Sequence, residues 1–237
     1  SDLDGIGIYK NLWQSSFRAM SNICYRYADK IVSLHNKNNK IQIKEGAHPD
    51  KVLTVRNGAD LSLYNFRHRI RVSNPPVIGF LGRVVKIKDV KTFIRAADIT
   101  LKKYPESIFL VAGPYDEDEE YYAECVKVAK LLGIEENLKF LGKVNSKDFC
   151  EQIDIMVLTS LSEGQPLVIT EAAGCGVPSI ATDVGGCKEM IEGGEDDEIG
   201  RAGIVTRSSN PVETAQAIMS MIENEDFYSD CSRNGRQ

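Results

Sequence analysis

From Val77 onward, apolar and polar positions fall into a regular alternation. Six short runs are dominated by hydrophobic residues: "VIGFL" (77–81), "SIFLVAG" (107–113), "LKFLG" (138–142), "DIMVLTS" (154–160), "PSIAT" (178–182) and "AGIVT" (202–206). Most are apolar throughout rather than at every second position, the pattern of strands covered on both faces of a parallel sheet. Stretches with helical spacing separate them, at 89–104, 119–132, 167–175 and 211–223. This alternation predicts an α/β fold, a doubly wound parallel sheet of the Rossmann-like type. Such sheets bind ligands beyond the carboxyl ends of their strands, which directs attention to the residues following each run. The chain contains no internal repeat and no low-complexity segment.

The first third reads differently. Leu12, Trp13, Phe17, Met20, Ile23 and Cys24 recur at helical spacing and predict an amphipathic helix from Tyr9 to Tyr27. A strand "KIVSL" (30–34), a helix over 36–44 and a strand "KVLTV" (51–55) follow, ending at the turn Asn57-Gly58. This is βαβ material with too few strands for a large sheet, and it reads as the tail of another domain. The pair Pro75-Pro76 marks the expected boundary, giving residues 1–73 and 74–237 as the two parts. The face carrying Trp13 and Phe17 is a candidate dimer or crystal contact.

Composition narrows the function classes. With 42% hydrophobic and 27% charged residues the chain matches an ordinary globular protein, and a net charge of -5 argues against nucleic acid as a partner. The acidic runs Asp116–Glu120 and Glu195–Glu198 lack the glycine-punctuated spacing of calcium loops and read as solvated loops. The six cysteines form no C-x-x-C pair and no histidine lies at finger-like spacing, so no metal site is expected. Reduced cysteines within apolar stretches suit the cytoplasm. No apolar run approaches the ~20 residues that span a bilayer.

Two clusters follow predicted strands. The first is "GRVVKIKD", with Gly82, Arg83 and Lys88. A glycine at a strand end permits a tight turn and close approach of an anion, while a guanidinium fork and a compact ammonium suit a diphosphate. The second is "SLSEGQPLVITEAAGCGVP", from Ser160 to Pro178. Pro166 is placed to open a helix, so the N–H groups near Leu167 and Val168 would present the positive end of the helix dipole to an anion. Glu163 in the loop and Glu171 in the helix are carboxylates able to grip sugar hydroxyls. Read singly, Glu163 is equally a helix cap and Glu171 a surface residue.

The Arg83/Lys88 spacing and the E-x7-E pattern of Glu163 and Glu171 resemble the signatures of family 4 (group 1) glycosyltransferases of the GT-B fold. The likeness extends to "RNGADLSLY" (56–64), "FLGKV" (140–144) and "TDVGGCKEMIEGG" (182–194), and is strongest to the Pel-type exopolysaccharide branch. The resemblance implies a C-terminal nucleotide-sugar-binding domain preceded by the end of an N-terminal acceptor domain. Arg83 and Lys88, with Gly82 beside them, would neutralise the diphosphate of a donor, a UDP-sugar in the Pel-type branch. Glu171 would hold the ribose. Glu163, with the backbone of Gly164, Gln165, Pro166 and Leu167, would hold the transferred sugar and distal phosphate, and the backbone around Lys143 and Val144 would meet the base. Two positions depart from the wider family: Asp89 stands where glycine commonly follows the lysine, and Gln165 replaces a frequent aromatic.

The implied reaction is metal-free and cofactor-free transfer with retention of configuration to a growing saccharide, within a membrane-associated polysaccharide synthase complex. His35, His48 and His68 lie outside the matching motifs and read as surface or packing residues. Because the remaining N-terminal domain and a final crossover helix would belong to the complete enzyme, this chain is expected to bind donor weakly without turnover. Two rival readings share the nucleotide site: a GT-B UDP-sugar epimerase, and a non-catalytic nucleotide-binding scaffold. A nicotinamide dehydrogenase fits poorly, since no G-x-G-x-x-G opens the first βα turn.

Overall fold

The structure is a computed structural model that describes residues 3–193 and 199–236, and it divides into two compact units, Ser1–Asn57 and Gly58–Gln237. The acidic stretch 195–198 lies outside the described residues.

In the first unit, helix α1 (Leu3–Tyr27) precedes strand β1 (Ile31–Ser33), helix α2 (Asn36–Lys44) and strand β2 (Val52–Thr54). The strands pair in parallel with Ile31 opposite Val52. The expected βαβ element is thus closed on itself as a two-stranded sheet. Gln42 and Asn39 on α2 join it through Ser33 and Thr54, at 2.8 and 2.6 Å. Trp13, Phe17, Met20 and Ile23 on α1 are exposed, with the Trp13 and Phe17 rings 4.5 Å apart.

The second unit holds six parallel strands: β3 (Val77–Leu81), β4 (Ile108–Ala112), β5 (Leu138–Gly142), β6 (Ile155–Leu158), β7 (Ser179–Thr182) and β8 (Gly203–Thr206). Their order is β5-β4-β3-β6-β7-β8, so the chain winds outward one way from β3 and then starts again beside it at β6. Helices α3 (Val90–Leu101), α4 (Glu119–Leu132), α5 (Ser146–Gln152), α6 (Leu167–Gly174), α7 (Cys187–Glu192), α8 (Pro211–Glu223) and α9 (Glu225–Asn234) cover the two faces. Phe80, Phe93 and Phe109 lead one core with residues of α3, α4, α8 and α9. Leu81, Met156, Leu158, Phe149 and Ile169 lead the other with α5, α6 and α7. Successive residues of a strand serve opposite cores, which is why the central runs are apolar without alternation. β5 at the edge alternates instead: Lys139 and Leu141 are exposed.

The division between units falls at Asn57/Gly58 and not at the Pro75-Pro76 pair. Residues 58–73 belong with the larger unit because their polar groups are met there. Arg69 donates to the carbonyls of Ile153 (2.6 Å) and Cys150 (3.1 Å), and its guanidinium lies 3.7 Å from the Asp154 carboxylate. Asp154 in turn accepts from Ser73 (2.5 Å) and from the N–H of Val77 (2.8 Å). Sequence reading gave no sign of this, since an extended segment has no periodicity of its own. Among the described residues no helix is long and apolar enough to cross a membrane.

Candidate functional site

The strand order reverses between β3 and β6, and the loops leaving their carboxyl ends, 82–89 and 159–166, lie at the place where open α/β sheets receive ligands in a crevice. The β3 loop starts at Gly82, whose N–H donates to the Ala112 carbonyl (2.9 Å), while the N–H of Val84 donates to the Pro114 carbonyl (2.9 Å). Gly113, at φ +136°, lies so close that a Cβ would collide with the Gly82 carbonyl. Glycine is required there by geometry. A single 3-10 turn, Lys86–Lys88, then presents the Lys88 stem across Gly82, where a Cβ would sit 3.9 Å from the lysine Cε.

Main-chain and hydroxyl bonds lace this loop to the next. The Leu161 N–H donates to the Ile87 carbonyl (2.8 Å), and the Thr159 hydroxyl donates to the carbonyls of Asp89 (2.8 Å) and Lys88 (3.3 Å). At the centre, the Lys88 ammonium lies 2.5 Å from Glu163 Oε1, with only 18% and 11% of the two side chains exposed. The Ser160 hydroxyl donates to the same oxygen at 2.7 Å. The β7 loop closes the third side: Thr182 donates to the Ser160 carbonyl (2.6 Å) and the Gly186 N–H donates to the Gly164 carbonyl (2.8 Å). Gly185 adopts φ +54°, and a Cβ on it would collide with the Glu163 carbonyl. Behind this junction Cys187 is fully buried, and burial pushes its thiol up to about 12, with Glu163 adding to the shift and Lys88 opposing it.

Arg83 stands apart on the rim. Its guanidinium pairs with Glu117 at 2.5 Å, and about half of each side chain is exposed. Pro166 is the residue before α6 and not its first helical position, so Leu167 opens the helix. The N–H groups of Leu167 and Val168 have no acceptor within the helix by position, and Leu167 is 45% exposed. Gly164 is exposed and Gln165 half-buried beside them. Glu171 is half-buried and faces elsewhere, toward Tyr64 of the 58–73 segment. Burial raises the Tyr64 hydroxyl above its ordinary range, a hydrogen bond from Ser146 opposes this, and the Glu171 carboxylate adds to it. The two acids therefore sit in separate networks: Glu163 with Lys88 and Ser160, Glu171 with Tyr64 near the start of α5. Val144 is half-buried against the second core.

The structure accounts for the unusual Asp89. Its φ is +45°, the left-handed region that favours glycine and that a short polar residue tolerates. Its carboxylate accepts hydrogen bonds from Thr92 (2.7 Å) and Ser209 (3.3 Å). The acid is thus engaged by two hydroxyls. Sequence reading missed Glu117, because an acidic run is the ordinary look of a solvated loop. Within that run, however, Asp118 caps α4 by accepting from the Tyr121 N–H (3.1 Å), a D-x-x-Y spacing that could have flagged the segment as structured. Gly185 was legible only as part of a motif, since its need arises from a partner loop. Among the described residues no three His, Cys, Asp or Glu side chains gather as a metal site. His35 is buried, His48 lies 3.5 Å from Asp50, and His68 hydrogen-bonds Ser229.

Comparison with known proteins gives two matching family profiles. The profile described as glycosyl transferases group 1 matches residues 65–237. Residues 3–50 match a profile described only as a domain of unknown function. D-inositol 3-phosphate glycosyltransferase 2 of Catenulispora acidiphila is 28% identical over 204 residues, covering 80% of this chain and 46% of that protein. The chain spans about half the length of the curated relatives it matches. Among solved structures, Anabaena HepE in complex with UDP-glucose superposes with a TM-score of 0.77 at 22% identity, covering 94% of this chain and 62% of that one. The C-terminal domain of the group 1 glycosyl transferase LpcC from Francisella tularensis does so with a TM-score of 0.64 at 26% identity, covering 76% of this chain and 95% of that one.

Proposed function

This chain belongs to the group 1 glycosyl transferases, and from that premise we propose that it carries the donor half of a retaining sugar transfer from a nucleoside-diphosphate sugar to a saccharide. The observation that carries the reading is the junction of three loops on Lys88 and Glu163 at the strand-order reversal, with Arg83 on the same rim. HepE was solved with UDP-glucose, which supports a uridine donor; several matched relatives are named D-inositol 3-phosphate glycosyltransferases, and the acceptor here is assigned as a saccharide from the Pel-type motif likeness. The same likeness supports a role in exopolysaccharide assembly, and the free cysteines suit the cytoplasm.

The chemistry follows from charge. The bond between the anomeric carbon and the distal phosphate oxygen breaks, and the nucleoside diphosphate departs with both bonding electrons. An acceptor hydroxyl forms the new bond on the same face and passes its proton to the departing phosphate oxygen. Negative charge grows on the leaving oxygens, where Arg83, Lys88 and the N–H groups opening α6 stabilise it. Lys88 stays paired with Glu163 and turns its remaining N–H groups toward the diphosphate, while the carboxylate's second oxygen accepts from hydroxyls of the transferred sugar. Glu171, with Tyr64 steadying it, receives the ribose diol. Fixed cations supply the charge that a metal supplies elsewhere, so activity of the complete enzyme is expected to survive EDTA.

The test uses the complete enzyme and UDP-sugars. Removing a preorganised donor of this kind costs about 2.7–4 kcal/mol, a rate loss on the order of a hundredfold to a thousandfold. Arg83→Ala and Lys88→Ala should each show it. Turnover at the parent's rate in either variant refutes the clamp.

A further inference from the structure

The loop after β4 carries an aromatic residue that no part of the donor reading yet employs. Tyr115 lies in the loop that also carries Glu117, the partner of Arg83, and its side chain is 39% exposed. One face of the ring stacks on Tyr122, with centroids 4.3 Å apart and planes 14° from parallel. Tyr122 is held in turn edge-on by Phe140 of β5, at 5.3 Å and 88°. The ring's edge meets the end of β5: a Cβ on Gly142 would lie 3.5 Å from Tyr115. Its position relative to Arg83 is fixed on both sides. The preceding residue, Pro114, accepts from the N–H of Val84, and two residues on, Glu117 pairs with Arg83 itself. A part-exposed ring, backed on one face by a second ring and anchored to the loop of the arginine proposed to meet the diphosphate, can serve as a stacking platform. Burying its free face against another planar group would remove apolar surface from water at little cost in side-chain freedom, because Tyr122 already restrains it.

We infer that the open face of Tyr115 stacks against the nucleobase of the bound donor, between the Arg83 rim and the 142–145 loop. The inference rests on the reading of this crevice as a nucleoside-diphosphate site and adds the residue that recognises the base as an aromatic ring. The platform selects for a base and not for its identity, since every base offers a π face.

Titration of the chain with UDP and, separately, with inorganic pyrophosphate tests it. Pyrophosphate engages the cations and has nothing to stack. Tyr115→Ala should weaken UDP about tenfold, within the span observed for base–aromatic stacks, and leave the pyrophosphate Kd within twofold of the parent. Tyr115→Phe, which keeps the ring, should bind both ligands as the parent does. In the parent complex the uracil H6 resonance should move upfield, and the shift should vanish in Tyr115→Ala. Parental UDP affinity in Tyr115→Ala overturns the platform while leaving the donor site standing. Equal losses for UDP and pyrophosphate overturn it as well, because they assign Tyr115 to shaping the Arg83 loop. A parent chain that binds neither UDP nor pyrophosphate removes the donor site, and the platform with it.

Discussion

The two cations of the crevice are paired with carboxylates at the same separation, yet their surroundings differ in every other respect. Lys88 and Glu163 are mostly buried, Glu163 also accepts from Ser160, and the pair is framed by backbone bonds from the loops after β3, β6 and β7. Arg83 and Glu117 are half-exposed and meet only across two flanking loops. A buried pair is costly to break, because removing one partner leaves an uncompensated charge. An exposed pair is screened and contributes little. The crevice thus has a fixed pole and a movable pole. On the proposed reading, the first defines where the donor's diphosphate lies, and the second is able to exchange one anionic partner for another.

The largest effect is expected from Lys88→Ala. It strands the Glu163 carboxylate, at a cost of about 3 kcal/mol for a pair this well buried, and should lower Tm as well as abolish UDP binding. A variant as stable as the parent breaks the distinction between the poles. Next comes Gly185→Ala, which places a Cβ against the Glu163 carbonyl and imposes a positive φ on a non-glycine residue. A loss of about 2 kcal/mol in urea unfolding is expected, with weakened UDP binding because the loop bearing Glu163 is displaced. Unchanged unfolding and binding would mean that the β7 loop does not support the fixed pole. Arg83→Ala should change stability by no more than ~0.5 kcal/mol, as surface substitutions do, while still weakening UDP. A marked fall in Tm would show that the movable pole is structural after all.

Much of this architecture was legible from residues alone. "VIGFL" and "LKFLG" have strand limits identical to those observed, because flanking prolines and glycines punctuate them. Helices 119–132 and 211–223 were equally sharp, since Asp118 and Asn210 cap them and Gly133 ends the first in the left-handed region. Helix α9 escaped notice: it follows α8 after a single residue, and its polar face dilutes the apolar period. At the site, residue types and spacing singled out Arg83, Lys88, Glu163 and Glu171 as candidates, and the structure pairs Lys88 with Glu163 and places Arg83 in the same β3 loop. What spacing could not reveal is which acid meets which cation. Glu163 and Glu171 share a motif but not a network, and Arg83 finds Glu117, far away in sequence. Pairings of that kind depend on strand order, which a one-dimensional pattern leaves open.

Asp89 has one further implication. Its carboxylate is bonded to Ser209, which follows the outermost strand β8, while its own backbone continues directly from Lys88. The hydroxyl at the sheet's margin is therefore linked through one aspartate to the turn that aims the central ammonium. A displacement of the 207–210 segment would reach the heart of the crevice by a single side chain, bypassing the intervening strands. Glycine at 89 would keep the turn and sever that link.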